Sequence, residues 1–413
     1  MLRSTVLGAS VFLCLLPQQP VDSSEWLQWR GPARDCSVAT SSVWPDDLNE
    51  ETLVESWKIA LGESYSGPIV TADQVFVTET VEKKDEVVRA LDRKTGRELW
   101  MVKWEGAMTV PFFAASNGSW IRSTPACDGE TLYVGGIRDV LVAIDCRSGQ
   151  ERWRVDFTKE FGTDIESFGF VCSPLIDGDF LYVQSAGGLA KLSRSDGKIV
   201  WRGLEEKGGM MGGAFSSPII AELAGQRQLV VQTRQRLTGV DIETGSELWG
   251  VDIASFRGMN ILTPLVIGDQ VFTSSYGGGS AMVTISQADG KFNVAEAWRK
   301  TAEAYMSSPV LVDGRIYLHL RNQRFTCIDP VKGETLWTST PYGKYWSTAM
   351  NGDRLLVLDE RGDLMLIQAD PKEFQLKSTR HVSDSSTWAH IAVADQEVFV
   401  RDLNGLTVYR WGR

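Results

Sequence analysis

The sequence predicts an all-β protein: an eight-bladed β-propeller of four-stranded antiparallel blades, with the last blade closed by an N-terminal strand. Two repeated signatures and the two ends of the chain predict it. The first signature is a turn that closes on tryptophan. It reads "DRKTGRELW" ending at Trp100, "DCRSGQERW" at Trp153, "SRSDGKIVW" at Trp201, "DIETGSELW" at Trp249 and "DPVKGETLW" at Trp337. Worn copies are "SQADGKFNVAEAW", with an insertion before Trp298, and "QADPKEFQL" near residue 370. A recurrence every ~40 to 53 residues is the period of a repeated supersecondary unit.

The second signature lies half a period away, as in "SGPIVTADQVFV" at 66, "STPACDGETLYV" at 123, "CSPLIDGDFLYV" at 172, "LTPLVIGDQVFT" at 262 and "SSPVLVDGRIYL" at 307. Alternating apolar and polar residues around a Gly or Asp turn read as two strands joined by a hairpin. A third strand runs into the Asp-x-x-Thr-Gly turn and a fourth runs out to the Trp, which makes a blade. At the ends, "ESWKIAL" from Glu55 is a fourth strand whose unit never began, while "TWAHIAVADQEVFVRDLNGLTVYRW" supplies three strands and stops. Pairing the two closes the ring and removes its exposed edges.

The turn chemistry accounts for the recurrence. Asp accepts hydrogen bonds from amides ahead of it, and Gly takes the left-handed conformation without a Cβ penalty. Each Trp offers a flat face to a neighbouring blade and an indole N–H to a backbone acceptor. Trp57, Trp100, Trp153, Trp201, Trp249, Trp298 and Trp337 are therefore assigned to blade docking.

Residues 1–23 read as a signal peptide, with Arg3 before an apolar run from Val6 to Leu16 that is too short to span a bilayer. An anchor through Cys14 is disfavoured by bulky Leu13 and by apolar Leu15 and Leu16. Residues 24–54 form a lead segment and 55–413 the propeller. The protein is expected to be exported, periplasmic or extracellular, without a membrane span. With 42 basic and 53 acidic residues the net charge is −11, which disfavours nucleic acid and anionic lipid as partners. Five cysteines beyond the leader stand singly, and His319, His381 and His390 lack ligand spacing, so neither a disulfide framework nor a metal site is expected.

The repeats "DxxTGxxLW" and "SSPxxxDGxxYV" resemble the pyrroloquinoline-quinone (PQQ) type repeat of quinoprotein alcohol dehydrogenases and of BamB-type lipoproteins. The lead "EWLQWRGPARDCSV" is similar to the start of exported bacterial propellers with these repeats. The resemblance implies two functions. A quinoprotein needs a Glu and an Asn for calcium, an Asp base and commonly two adjacent cysteines. Adjacent cysteines are absent, and no Glu, Asn and Asp set matches that family's motifs. No cofactor is therefore expected, and a PQQ- and calcium-dependent oxidoreductase is the alternative to a noncatalytic binding or scaffolding propeller. A carbohydrate-binding propeller is the second alternative, since aromatic faces stack on sugars.

Topology locates the candidate site. The loops from each Trp to the next Ser-Pro step must open opposite the Thr-Gly turns, at the mouth of the central channel. Alignment on the Ser-Pro steps places Tyr65, Arg122, Val171 with its neighbour Phe170, Phe215, Ile261, Met306, Tyr345 or Trp346, and Trp388 around that mouth. Arg122 is the only charge in this set and the candidate for gripping an anion or a carbonyl. An unknown protein segment or small ligand is the expected partner. The Gly-rich "GGMMGG" at 208 lacks the Lys-Ser/Thr of a phosphate loop.

Overall fold

The computed structural model describes residues 24–38, 43–206 and 214–412. The expected leader 1–23, Cys14 and the run at 208 lie outside the described residues. Eight four-stranded antiparallel sheets follow one another around a ring. Blades 1 to 7 occupy residues 69–105, 126–156, 175–203, 219–252, 265–300, 310–341 and 346–381, each in sequential strand order. Blade 8 takes three strands from 392–411 and its fourth from Leu53–Ala60, paired antiparallel from Leu53 opposite Trp411 to Ala60 opposite Gly405. That strand begins two residues before the boundary expected at 55.

The Asp-x-x-Thr-Gly turns do what their composition requires. Asp241 accepts from the amides of Glu243 and Thr244 at 3.0 and 2.8 Å and from the Thr244 hydroxyl at 2.9 Å. Gly245, at φ +73°, donates back to the Asp241 carbonyl. Seven of the eight outer strands then carry a bulge just before a tryptophan: Ala90 faces Trp100 but Leu91 faces Glu98, which squeezes out Leu99. The bulge adds local twist and leaves Leu99, Val200 and Leu336 exposed, while the following Trp lies over the next blade.

Those tryptophans share one geometry. The indole N–H donates to a carbonyl of the next blade from Trp57 (Arg93, 2.9 Å), Trp100 (Cys146, 2.8 Å), Trp153 (Arg194, 3.0 Å), Trp201 (Ile242, 3.1 Å), Trp298 (Pro330, 2.7 Å) and Trp337 (Asp370, 2.7 Å). The rings of Trp57, Trp100, Trp153, Trp201 and Trp298 lie against Gly96, Gly149, Gly197, Gly245 and Gly333, where a Cβ would come within 3 Å of the ring. Trp249 departs from the pattern. Its indole donates to Gln228 Oε1 inside its own blade, and nothing lies near Gly290. The insertion before Trp298 lengthens the strands Gly279–Ala288 and Lys291–Lys300 to ten residues each, carrying the Gly290 turn out of reach.

The hydrophobic core is divided among the blade interfaces. One cluster joins blades 1 and 2 through Phe76, Val88, Leu132 and Val142, and similar clusters follow around the ring. The closing cluster joins blades 7, 8 and 1 and includes Trp26, Val38, Trp44 and Leu48 of the lead.

The lead also fills the central channel. Trp26 pairs with Val70 of blade 1, and Ser37 bridges Met350 of blade 7. Between them the Leu27 carbonyl accepts the Cys127 amide of blade 2, Arg34 donates to Pro174 O at 2.9 Å in blade 3, and Arg30 donates to Pro309 O in blade 6. Gly31, at φ +82°, lies where a Cβ would meet the Trp26 ring at 2.7 Å, so the "WRGP" step turns inside the channel. The innermost strands are thereby tied to one central segment.

Two buried carboxyls at blade interfaces set a pH dependence. Glu86 accepts the Ile137 amide at 2.7 Å and the Trp104 indole N–H at 2.8 Å, and burial pushes its pKa up to about 7. Glu166 is likewise pushed up to about 7, by burial first and then by Asp139. Both hold a proton in the folded protein at pH values where the unfolded chain has lost it. Their contribution to stability is therefore full below about pH 4.5 and declines as the pH rises toward 7. For Glu86 a change of that size corresponds to about 3 kcal/mol. The buried neutral His319 and His390 act in the opposite sense below about pH 6.5, so the check is a difference: the stability of the parent relative to Glu86→Gln should rise as the pH falls from neutral toward 5, and a difference independent of pH would contradict the assignment.

Candidate binding funnel

The described parts of the long loops between the outer strands and the next Ser-Pro steps converge on one face and surround a cavity of about 350 Å³ at the channel mouth. Tyr65, Arg122, Val171, Phe215, Ile261, Met306, Tyr345, Trp346 and Trp388 all line it. Phe170 does not. It is 1% exposed in the core between blades 2 and 3, edge-on to Phe157, because side chains alternate and Val171 takes the inward place. Trp346 reaches the cavity but is mostly core: it is 5% exposed and stacks on His319 at 4.5 Å. Tyr345 supplies the open aromatic of that blade.

The rings form a nearly continuous belt. Tyr65 stacks on Trp388 at 4.9 Å, and Trp388 meets Tyr345 at 4.3 Å. Tyr345 leads to Tyr305, Tyr276 and Phe256 at 5.9, 5.5 and 4.9 Å. On the other side Phe215 leads to Phe168 and then Phe113 at 5.5 and 6.4 Å. Arg257 joins the two arcs, its guanidinium 5.0 Å from the Phe256 ring centre and 5.7 Å from that of Phe113. Pairs of this kind add ~0.5–1.5 kcal/mol beyond area burial, so the belt is a braced surface and not a set of loose side chains.

The floor comes from the lead. Trp29 donates its indole N–H to Thr263 Oγ1 at 3.2 Å and meets the His390 ring edge-on at 4.7 Å. Burial lowers the His390 pKa to about 4, so it is neutral at pH 7. Arg122 donates to the Trp120 and Gly118 carbonyls at 3.2 and 3.3 Å and lies 5.9 Å from the Tyr65 ring centre. Burial lowers its pKa to about 10, which leaves it protonated.

Ring residues aligned on the Ser-Pro step are thus brought together, whereas Phe113, Phe168, Phe256, Arg257 and Tyr305 lie outside that alignment. They sit in the same aromatic loops, but each loop has its own length and path. Arg257 reaches the belt from a left-handed backbone at φ +56°, which no residue spacing announces.

The chemistry of this lining does not suit a calcium-bound quinone. Among the described lining residues Arg122 and Arg257 are the cations and no carboxylate is present, so a divalent ion would meet repulsion where it needs anionic oxygens. Among the described residues no group of three or more His, Cys, Asp or Glu is placed to hold a metal ion.

Fold and site together define a PQQ-type repeat propeller with an apolar binding funnel. A family model described as outer membrane protein assembly factor BamB matches residues 83–339, and the chain belongs to that family. It is 24% identical to the outer membrane protein assembly factor BamB of Yersinia pestis, with all of both chains covered. The crystal structure of BamB from Moraxella catarrhalis superposes with a TM-score of 0.62 at 16% identity, covering 87% of this chain and 98% of that one. The quinohemoprotein alcohol dehydrogenase ADHIIG from Pseudomonas putida HK5 superposes with a TM-score of 0.67 at 15% identity, covering 95% and 81%. At such identity both likenesses speak to fold, and the family match and the cavity chemistry separate the two functions. The protein is a noncatalytic binding and scaffolding propeller.

Proposed function

We propose that this propeller is an exported scaffold that docks an extended segment of a partner protein in the funnel at its channel mouth. The observation that carries this reading is the belt of aromatic rings around a cavity that has no carboxylate among its described lining residues and a floor formed by the lead. Large, braced aromatic surfaces are the usual anchors of protein recognition, and a channel already filled by its own chain offers a docking mouth and no conduit. Outer-membrane assembly, named for the relatives, is the setting we propose, with the leader 1–23 directing export. No described helix is long and apolar enough to cross a membrane.

The test compares two variants as bait for associated proteins. Phe215→Ala with Trp388→Ala, in the mouth, should cut recovery of specific partners by at least ~30-fold if each ring contributes about 1 kcal/mol or more. Val331→Asp, on an exposed Thr-Gly-type turn, should leave recovery unchanged. Equal recovery with both variants would overturn the reading. Titration with PQQ and calcium should leave the melting temperature where it was; a stoichiometric rise would favour the quinoprotein alternative.

A further inference from the structure

Two arginines in the funnel have no anion to answer them. Neither Arg122 nor Arg257 forms an ion pair among the described residues, although the chain has 53 acidic residues and a net charge of −11. Arg122 uses Nε and one terminal nitrogen for two long bonds to carbonyls, and its Nη1 has no partner among the described residues. Arg257 is exposed and held against two phenyl faces in a left-handed conformation that a long side chain adopts only at a cost. A cation on aromatic faces and a half-buried guanidinium lining the same cavity, with no carboxylate among the described lining residues, make a cradle for negative charge on an apolar body.

We propose that the funnel selects an acidic-aromatic stretch of a partner polypeptide, with a side-chain or terminal carboxylate held by Arg122 and Arg257 and aromatic side chains seated on the Tyr65–Trp388–Tyr345 arc and on Phe215. This rests on the reading of the funnel as a docking site for a protein segment. A nucleic acid or an anionic bilayer would bring many charges against the net negative surface, whereas a single carboxylate meets only the two arginines. The cavity volume suits two or three side chains.

Calorimetry with two capped peptides tests it: acetyl-Gly-Phe-Asp-Phe-Gly-amide, and the same peptide with Asn for Asp. The Asp peptide should bind about tenfold tighter, the difference expected of a charge-assisted hydrogen bond, and the advantage should shrink in high salt. Arg257→Lys should keep that advantage, and Arg257→Gln, at an exposed position, should remove most of it. Arg122→Gln should do the same, with its melting temperature checked because the residue is largely enclosed. Equal binding of both peptides, abolished by Phe215→Ala with Trp388→Ala, would overturn the acidic preference and leave the docking site standing. No binding of either peptide at millimolar concentration would overturn the inference, and loss of partners in the mouth variant would then still uphold the docking site on its own evidence.

Independently, blade 2 brings two of the dispersed cysteines together. Cys127 and Cys146 have their sulfurs 3.5 Å apart, both buried. We infer that they are a disulfide site, closed during folding by exchange with a disulfide donor. The first thiolate attacks the donor disulfide, forming a mixed disulfide and releasing one donor thiol. The second thiolate then attacks the bound sulfur and releases the other donor thiol, so two cysteine thiols are oxidised as one donor disulfide is reduced. Because the hydrogen bond with Cys146, and then burial, raise the Cys127 thiol pKa, exchange must come before the blade closes over it.

Refolding with oxidised glutathione, blocking of free thiols and tryptic digestion should yield residues 123–138 linked to residues 139–147, two hydrogens lighter than the sum of the separate peptides. Reduction should then lower the melting temperature by a few degrees. Recovery of both peptides separately blocked from monomeric, refolded protein would overturn the inference.

Discussion

A chain that starts at Gly62, without the lead and the strand Leu53–Ala60, is expected to lose the closed ring altogether. That strand supplies the fourth place of blade 8, in register from Leu53 opposite Trp411 to Ala60 opposite Gly405. Without it the strand Gly405–Trp411 becomes an open edge, a template for aggregation. The same deletion strips Trp26, Val38, Trp44, Leu48 and Leu53 from the cluster that joins blades 7, 8 and 1. Loss of one large buried side chain costs ~3–5 kcal/mol, and a domain's whole stability is ~5–15 kcal/mol. The channel would also empty, leaving the inner strands without Arg30 and Arg34. Gel filtration should show aggregates, and near-ultraviolet circular dichroism should lose its tryptophan signal. A monomer with the full-length spectrum would contradict this account of closure.

Gly245→Val is expected to be severely damaging at a blade seam, and Gly290→Val is the informative control. At Gly245 the backbone is left-handed, and a Cβ would stand 2.6 Å from the Trp201 ring. The branched side chain must therefore dislodge Trp201, whose indole bonds to Ile242 O in the same turn. Backbone strain of ~1–2 kcal/mol adds to the lost packing of a tryptophan, about 3 kcal/mol or more. Gly290 has the same φ of +73° and nothing within 4 Å, so the control should show only the backbone part. Urea melts should separate the two midpoints clearly. Equal losses would mean that the seams do not depend on tryptophan docking.

Much of this architecture was legible in the sequence because it depends on local chemistry repeated many times. Asp241, Gly245 and Trp249 form one turn whose meaning is visible within nine residues, and the incomplete units at the two ends state how the ring closes. Residues aligned on the Ser-Pro step likewise fall around one cavity, since the innermost strand fixes where each such residue sits. Phe170 shows the limit of that argument. One position away on a strand means the opposite face, and the bulky neighbour is core while Val171 lines the funnel. Arg257 and Phe113 were illegible for another reason: irregular loops place them, and no period governs such loops. The channel segment was beyond reach because its contacts with Val70, Pro309 and Met350 join residues far apart in the chain. Trp249 kept its motif but changed its acceptor because an insertion in the next blade moved the expected partner.

The claim at the centre of this account is that the aromatic mouth, and not the opposite turn face, meets the partner. Photo-crosslinking tests it most directly, with a benzoylphenylalanine placed at Phe113 in the funnel or at Val331 on an exposed turn, both accessible. The account expects one discrete polypeptide adduct from position 113, lost when Phe215 and Trp388 are replaced by Ala, and none from position 331. Adducts from position 331 with none from position 113 would contradict it.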